Sequence, residues 1–364
     1  MKLSSYFGLA LLLVAGCVKA PAPAPPAAPV TAPPVAAVDA PELAAPAVPV
    51  APAIVAPTPK PTPIAPSAPA TTTPLRELVG RYLRPGSAAP DEKVALEFEK
   101  LAPLAAELWP LLADQEASVR CGAAFLLVDE FDPAHAEQVA AFVALLGDED
   151  GSVRSLGLSG LARMRPADQI AALPQLLKLL DSQLEPKAEN RVRVVRVCGK
   201  LKSDALPALD ALLAAATDPA GEVRAASLVA LTQVAPPEKT LPALTKGLAD
   251  EDAAVRLVAA AQLRKLGAAA ESAAAQLVAA LEDQDVRVRD AAGEALIKIG
   301  APAVEPLAAK LAAGNLEARK LALACLAKLG PTAKTALPAV DKCLQDPHPE
   351  VKKLAEVAAR NIKG

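Results

Sequence analysis

One short pattern, repeated with a period of about 33 residues, constrains the fold of this chain more than any other feature. A basic residue, preceded by valine in six copies, recurs eight times: at Arg120, Arg154, Arg191, Arg224, Arg256, Arg289, Arg319 and Lys352. An aspartate stands six positions earlier in six copies: Asp114, Asp148, Asp218, Asp250, Asp283 and Asp346. A period of this length is typical of a stack of similar units in which each unit contacts its neighbours.

The spacing of apolar residues within each copy predicts a helix. Counted from the basic residue, positions −1, +3, +7 and +10 are mostly apolar or small, as in Val255, Ala259, Leu263 and Leu266, and such offsets form one face of an α-helix. A second helical pattern, often containing Leu-Pro, lies between copies, as in residues 170–180. Proline is tolerated in a first helical turn, so it marks where this second helix begins or bends. The sequence predicts an all-α solenoid of about eight antiparallel helix pairs.

The repeated motif D-x-x-x-x-V-R-x-x-A-x-x-A-L resembles HEAT and HEAT-like (bilin-lyase-type) repeats over about residues 93–364. The resemblance implies an armadillo-type superhelix, and we assign residues 75–364 to this repeat domain. It also implies that each arginine lies near the aspartate of the next repeat, so that charge pairs form a ladder. The aspartate is further expected to cap the helix that follows it.

The first seventeen residues predict export and lipidation. Lys2 precedes an apolar run of about nine residues, which is far shorter than the ~20 that a membrane-spanning helix needs. The sequence Val14-Ala15-Gly16-Cys17 then resembles a bacterial lipobox, which implies removal of residues 1–16 and attachment of lipid to the Cys17 sulfur. Val18 follows where aspartate often signals inner-membrane retention. We therefore expect a lipid-anchored protein of the bacterial cell envelope, at the outer membrane and facing the periplasm.

Residues 17–74 form a Pro/Ala-rich linker in this interpretation. Eighteen of the 37 prolines lie between residues 20 and 74, a segment with no aromatic residue and three charged ones. Such a composition cannot bury enough apolar surface to offset its chain entropy, so the segment is expected to stay disordered and extended.

Position +9 of the repeat carries five cations, which we call the basic stripe: Arg163, Lys200, Lys265, Lys298 and Lys328. If the helices stack in parallel, these residues form a row that could bind an acidic protein partner or an anionic polymer. They also lie in the last turn of each helix, where a cation interacts favourably with the helix dipole by ~0.3–1 kcal/mol. Both interpretations stay open at this point.

The aromatic residues and cysteines have structural roles in the expected fold. Six aromatic residues follow the signal peptide, all between residues 82 and 142: Tyr82, Phe98, Trp109, Phe125, Phe131 and Phe142. They could close the open end of the stack or form a hot spot for a partner. Cys198 and Cys325 lie in the helix-core positions. A Cys325–Cys343 disulfide is not expected, because the two residues are mismatched by ~12 Å along antiparallel helices.

The sequence favours a binding protein over an enzyme. A formal net charge of −3 argues against nucleic acid as a partner. The two histidines, His135 and His348, do not form a metal-binding motif, and no phosphate loop or nucleophile motif occurs, so no catalytic residue, metal or cofactor is predicted. We expect a non-catalytic envelope scaffold that binds proteins of undetermined identity. A HEAT-like lyase or chaperone-lyase, and a polysaccharide or peptidoglycan tether, remain as alternatives.

Overall fold

The computed structural model describes residues 74–83, 85–86, 90–101 and 105–364. Residues 75–364 form one compact unit. The predicted signal peptide (1–16), the lipidation site Cys17 and the Pro/Ala-rich segment up to residue 73 lie outside the described residues.

Within the described residues the chain forms nineteen α-helices and no β-strand. In chain order they are α1 (Pro74–Tyr82), α2 (Glu92–Leu101), α3 (Ala105–Leu108), α4 (Ala117–Leu127), α5 (Ala136–Leu145), α6 (Gly151–Leu161), α7 (Pro166–Ala171), α8 (Leu173–Lys178), α9 (Ala188–Leu201), α10 (Leu209–Ala215), α11 (Gly221–Val234), α12 (Pro237–Gly247), α13 (Ala253–Leu266), α14 (Ala274–Ala279), α15 (Val286–Ile299), α16 (Val304–Ala313), α17 (Leu316–Leu329), α18 (Leu337–Cys343) and α19 (Pro349–Lys363). Short 3₁₀ segments precede or extend several of them: Trp109–Ala113, Lys202–Ala208, Gly267–Ala273, Ala280–Glu282, Ala301–Ala303 and Gly330–Ala336.

The helices that carry the repeated basic residue form an inner layer. These inner helices are α4, α6, α9, α11, α13, α15, α17 and α19, and each contacts the next. An outer element precedes each inner helix and packs on it, beginning with the 3₁₀ segment Trp109–Ala113 on α4 and ending with α18 on α19. The predicted all-α solenoid of about eight helix pairs is confirmed.

The stack also extends one inner helix further toward the N-terminus than the repeat pattern indicated. Helix α1 packs so closely on α4 that a Cβ added at Gly122 would overlap the carbonyl group of Val79. The missing side chain at Gly122 is what allows the two backbones to approach. Helix α1 therefore occupies the place of an additional inner helix.

The core is built from the positions that the periodicity predicted. In α13, Val255, Ala259 and Leu263 are buried, whereas Leu266 is half-buried. Full burial of a leucine or valine contributes roughly 1.5–3 kcal/mol, and the alanines between them allow close helix approach. The Leu-Pro prolines also lie where expected: Pro174 and Pro338 stand in the first turns of α8 and α18. Pro242, in contrast, lies inside α12.

The aromatic residues close the N-terminal end of the core. Phe142 is fully buried, with the rings of Trp109 and Phe131 edge-on to it at centroid distances of 5.9 and 5.1 Å. Tyr82 is also buried, 6.2 Å from the half-buried Phe125 ring. Since these rings pack inward, the structure supports the capping interpretation for them; the side chain of Phe98 lies outside the described part.

Four inner helices end in the same left-handed turn at position +11. Glycine occupies three of these positions, with φ of +56° at Gly267, +84° at Gly300 and +56° at Gly330. The fourth is Lys202, with φ +53° and ψ −133°. A residue with a Cβ rarely adopts this conformation, and holding it there costs about 1–3 kcal/mol.

Lys202→Gly is therefore expected to raise the free energy of unfolding by about 1 kcal/mol, because relief of strain exceeds the ~0.5–1 kcal/mol of additional chain entropy that glycine loses. Urea denaturation followed by circular dichroism measures the change. The matched control is Lys200→Gly, two residues earlier inside α9, which should lower stability by about 1 kcal/mol because glycine is a poor helix former. Effects of the same sign in both variants would contradict strain at residue 202.

Candidate functional site

Most of the repeated arginines join the turn of their own repeat to the turn of the next. In the fourth repeat, Nη1 of Arg224 donates to the carbonyl oxygens of Asp218 and Pro219 at 3.0 and 3.2 Å. Its Nε and Nη2 donate to the carboxylate of Asp250 at 2.8 and 2.7 Å. This two-pronged (bidentate) arrangement, with two parallel N–H···O bonds, is the strongest geometry of an arginine–carboxylate pair.

The same two-pronged pair recurs along the stack and forms an arginine ladder. The pairs are Arg76–Asp114, Arg120–Asp148, Arg191–Asp218, Arg224–Asp250 and Arg256–Asp283. Arg319 pairs more loosely with Asp346, with 3.3 Å between Nε and Oδ2. The ladder that the resemblance implied is therefore confirmed at these junctions.

The expected capping role of the ladder aspartates is wrong by two residues. Asp250 Oδ1 accepts from the backbone N–H of Asp252 at 2.9 Å, which closes the turn before the helix. The residue that caps α13 is Asp252 itself, whose carboxylate accepts from the N–H of Ala254 at 2.8 Å. A capping side chain must be adjacent to the free amides of the first turn, and the ladder aspartate lies too far upstream.

The ladder holds the carboxylates of Asp250 and Asp283 in the charged form. Hydrogen bonds from Arg256 lower the pKa of Asp283 below its ordinary value against the opposing effect of burial. Burial tends to raise the pKa of Asp250, but hydrogen bonds from Arg224 and from the backbone of Asp252 outweigh it, and the pKa is lowered. Both carboxylates stay ionised at neutral pH, so the ladder is a structural device that binds repeat to repeat.

Two members of the ladder were missed from the sequence. Glu185 replaces aspartate six positions before Arg191 and accepts from Nε of Arg154 at 2.6 Å, with its side chain fully buried. A search that allowed glutamate at this position would have found it. Arg76 lies 44 residues before Arg120, outside the regular period, and only its pairing with Asp114 identifies it.

All five residues of the basic stripe are exposed at the C-terminal ends of inner helices. A Cβ at Gly267 would lie 3.6 Å from the carbonyl oxygen of Lys298, so the end of α13 meets α15 at the stripe position. Arg163 donates to Asp129 at 3.1 Å, and Lys265 donates to the side-chain oxygen of Gln262 at 3.3 Å. Among the described residues, no carboxylate lies within ion-pair distance of the four stripe lysines.

A row of apolar side chains lies next to the basic stripe. Positions +2 and +5 share the solvent-facing side of the inner helices with position +9, because residues three, four and seven apart lie on one face. The apolar row comprises Leu156, Ala226, Val229, Val258, Ala261, Ala291, Leu321, Ala324, Leu354 and Val357, which are half-buried or exposed. The same two positions carry polar or charged residues at Ser159, Arg193, Arg196 and Glu294. The inner-helix face therefore combines a mostly apolar surface with one positively charged edge.

One polar cleft is lined in part by residues of the ladder. A cleft of about 530 Å³ lies between the second and third repeats and is lined by Asp148, Arg154, Leu184, Glu185 and Lys187, among others. Asp148, Arg154 and Glu185 are bound in the ladder. This cleft consequently offers a ligand few uncommitted polar groups.

The four described cysteines, Cys121, Cys198, Cys325 and Cys343, are buried thiols, as expected for Cys198 and Cys325. Burial raises the pKa of Cys121, Cys198 and Cys325 to about 11, and that of Cys343 is also raised. All four are free thiols in the structure.

The described residues include no group of three His, Cys, Asp or Glu side chains placed to hold a metal ion. Within the same residues, no helix has the length and apolar character needed to cross a membrane.

Comparison with known families agrees with this geometry. The family described as HEAT repeats matches residues 173–264 and 241–313. This chain is a HEAT-like repeat protein. No curated protein matches the HEAT-like repeat protein significantly. The fold is typical of non-catalytic scaffolds that bind other proteins.

Several solved structures are similar to the HEAT-like repeat protein at low sequence identity. YibA of E. coli is 19% identical, with 75% of this chain and 99% of that chain covered and a TM-score of 0.42. An engineered protein is 24% identical over 52% of this chain and 96% of its own, with a TM-score of 0.35. A designed armadillo repeat protein in complex with the peptide (KR)4 is 20% identical over 52% and 99%, with a TM-score of 0.35.

Proposed function

We propose that this HEAT-like repeat protein is a non-catalytic scaffold that binds an acidic segment of a protein partner along its inner-helix face. The observation that carries the proposal is the set of four exposed stripe lysines that have no carboxylate partner among the described residues. They occupy one equivalent position in four helices, and the apolar row lies beside them.

Most other cations of the same helices are paired with a carboxylate, although Arg196 and Arg289 have none among the described residues. Arg264 pairs with Glu294, Arg287 with Asp285, and Lys320 with Glu317 and Glu350. A single exposed ion pair contributes little, but a row of like charges produces a field that attracts and orients an oppositely charged segment. The helix-dipole interpretation of the stripe also holds, yet it gives no reason for an apolar row beside the lysines.

The apolar row makes a polypeptide the best ligand class for this face. Removal of half-exposed side chains such as Val258 and Leu321 from water supplies affinity, and the lysines at the edge supply orientation. A segment with apolar residues on one side and Asp or Glu on the other complements both features. A purely anionic polymer would leave the apolar row uncovered.

The proposal places this scaffold at the bacterial cell envelope, facing the periplasm from the outer membrane. Its support is the lipobox-like sequence at residues 14–17, with Val18 rather than aspartate after Cys17. Acyl chains on Cys17 would contribute ~0.8 kcal/mol per buried CH₂. The Pro/Ala-rich segment would then separate the repeat domain from the lipid surface.

Charge reversal of the stripe tests the proposal. We expect Lys265→Glu, Lys298→Glu and Lys328→Glu, combined in the full-length chain, to reduce partner capture at least tenfold, since repulsion of an acidic segment by more than about 1.4 kcal/mol has that effect. Partners are captured by cross-linking in cells and identified by mass spectrometry. The matched control reverses Lys239, Lys246 and Lys342, three exposed lysines of the outer helices, with the same change in net charge.

The outcomes separate the candidate functions. A discrete set of proteins that is lost in the stripe variant and kept in the control supports the scaffold. Equal capture by both variants, with circular dichroism showing intact folds, contradicts the role of the stripe. Cross-linked glycan fragments instead of proteins would favour the tether, and a small-molecule adduct would favour the lyase.

A further inference from the structure

One arginine of the repeat series has no carboxylate partner among the described residues. Arg289 is anchored like the others, with Nη1 donating to the carbonyl oxygens of Asp283 and Gln284 at 2.7 and 3.2 Å. Within the described part of the chain, no carboxylate lies within ion-pair distance of its guanidinium group, which makes no other hydrogen bond there. Its Nε and Nη2, which bind the next repeat's aspartate elsewhere in the ladder, are therefore unoccupied.

The reason lies in the turn that follows. Arg319 comes only 30 residues after Arg289, whereas Arg289 comes 33 residues after Arg256. Helix α16 runs directly to Ala313, which stands at the aligned aspartate position, and only Gly314 and Asn315 separate it from α17. The shortened turn has lost the carboxylate that would have paired with Arg289.

The open side of the guanidinium is accessible to solvent. Arg289 is partly exposed, and its Nε and Nη2 are not among the buried side-chain atoms without a hydrogen-bond partner. Because the guanidinium is planar and Nη1 is fixed to two carbonyl oxygens, Nε and Nη2 present a preoriented pair of donors on the opposite edge. In Arg256 the same pair of donors holds Asp283 at 2.6 and 2.9 Å.

We propose that Arg289 is a carboxylate-binding site that accepts an acidic group from outside the repeat domain. The guanidinium groups of the other ladder arginines show which ligand this geometry selects, since five of them bind a carboxylate through both Nε and Nη2. The site lies at the N-terminal end of an inner helix, whereas the basic stripe lies at the C-terminal ends. It is thus independent of the proposed stripe function.

The first test follows the Nε–Hε signals of arginine side chains in the full-length chain by NMR. Sodium acetate is titrated against sodium chloride at constant ionic strength. We expect a saturable shift of the Arg289 signal and none for Arg256, whose donors are filled by Asp283. A shift of Arg289 no larger than that of Arg256 would overturn the proposal.

A second arm distinguishes a polypeptide ligand from a free small carboxylate. The probes are acetyl-Ala-Ala-Glu-Ala-Ala-amide and its Gln counterpart. If the Glu peptide saturates the Arg289 signal at a concentration at least about threefold below the saturating concentration of acetate, the site is assigned to a polypeptide ligand. If the two saturating concentrations are equal, it is assigned to small carboxylates. If the Gln peptide shifts the Arg289 signal as much as the Glu peptide does, the carboxylate is not recognised, and this result would contradict the proposal.

Variants with conserved charge complete the experiment. Arg289→Lys retains the positive charge but loses the two-pronged geometry, and we expect it to weaken Glu-peptide binding at least threefold, as measured by ligand-observed NMR. The control is Arg287→Lys, two residues away on the same helix, whose side chain is exposed and already paired with Asp285. Equal loss in both variants would contradict a site at Arg289.

Discussion

Replacement of Arg191 by alanine is expected to lower the free energy of unfolding by about 3–5 kcal/mol, because it leaves a buried charge without its partner. The side chains of Arg191 and Asp218 are each only 3% exposed. The variant also removes the donor to the carbonyl oxygens of Glu185 and Pro186. Urea denaturation of the wild type and the variant at pH 7 measures the difference.

The matched control for Arg191 is Arg287→Ala. Arg287 also pairs with an aspartate, but its side chain is 67% exposed and lies outside the ladder, so its removal should change stability little. A loss at Arg191 as small as that at Arg287 would show that water replaces the guanidinium at this junction and that the ladder contributes little to stability.

Truncation of Phe142 to alanine should cost about 3–5 kcal/mol, since the ring is fully buried and its removal leaves a cavity. The loss should be local, because repeats contact only their neighbours. Hydrogen exchange measured by mass spectrometry is expected to show faster exchange in α4, α5 and α6 than in the wild type. Exchange in α15, α17 and α19 should stay unchanged.

The control for Phe142 is Val286→Ala, a truncation of an apolar side chain that is 54% exposed on α15. It should alter neither stability nor exchange by a measurable amount. Faster exchange along the whole repeat domain of the Phe142 variant would contradict a cap that acts on the first repeats alone.

The fold could be predicted from the sequence because the same residues recur in register. Val255, Ala259 and Leu263 are buried in α13, and the same pattern in the other copies fixes the inner helices. The helix boundaries and the capping residues were harder to predict from the sequence. The aspartate at −6 and the one at −4 look equally suited to a cap, and only the helix start at Ala253 shows that Asp252 takes this role.

The candidate sites were only partly visible in the sequence. The exposure of the basic stripe follows from its position in the last helical turn, but the lack of carboxylates near its lysines depends on how neighbouring helices meet. Likewise, the short spacing after Arg289 is visible in the sequence, whereas the open donor pair it leaves can be recognised only against the occupied pairs of the ladder. Glu185 and Arg76 were missed because they depart in residue type or in spacing from the consensus.

The Arg224–Asp250 and Arg256–Asp283 junctions have the same geometry, and this likeness affects how the length of the repeat domain can change. Residues 250–282 form one complete repeat unit, or cassette. It starts with Asp250, the partner of Arg224, and ends just before Asp283, the partner of Arg256. Excision of this cassette would bring Arg224 opposite Asp283, and a duplication would add an equivalent junction. The length of the repeat domain is therefore adjustable in whole units, without redesign of the surfaces on either side.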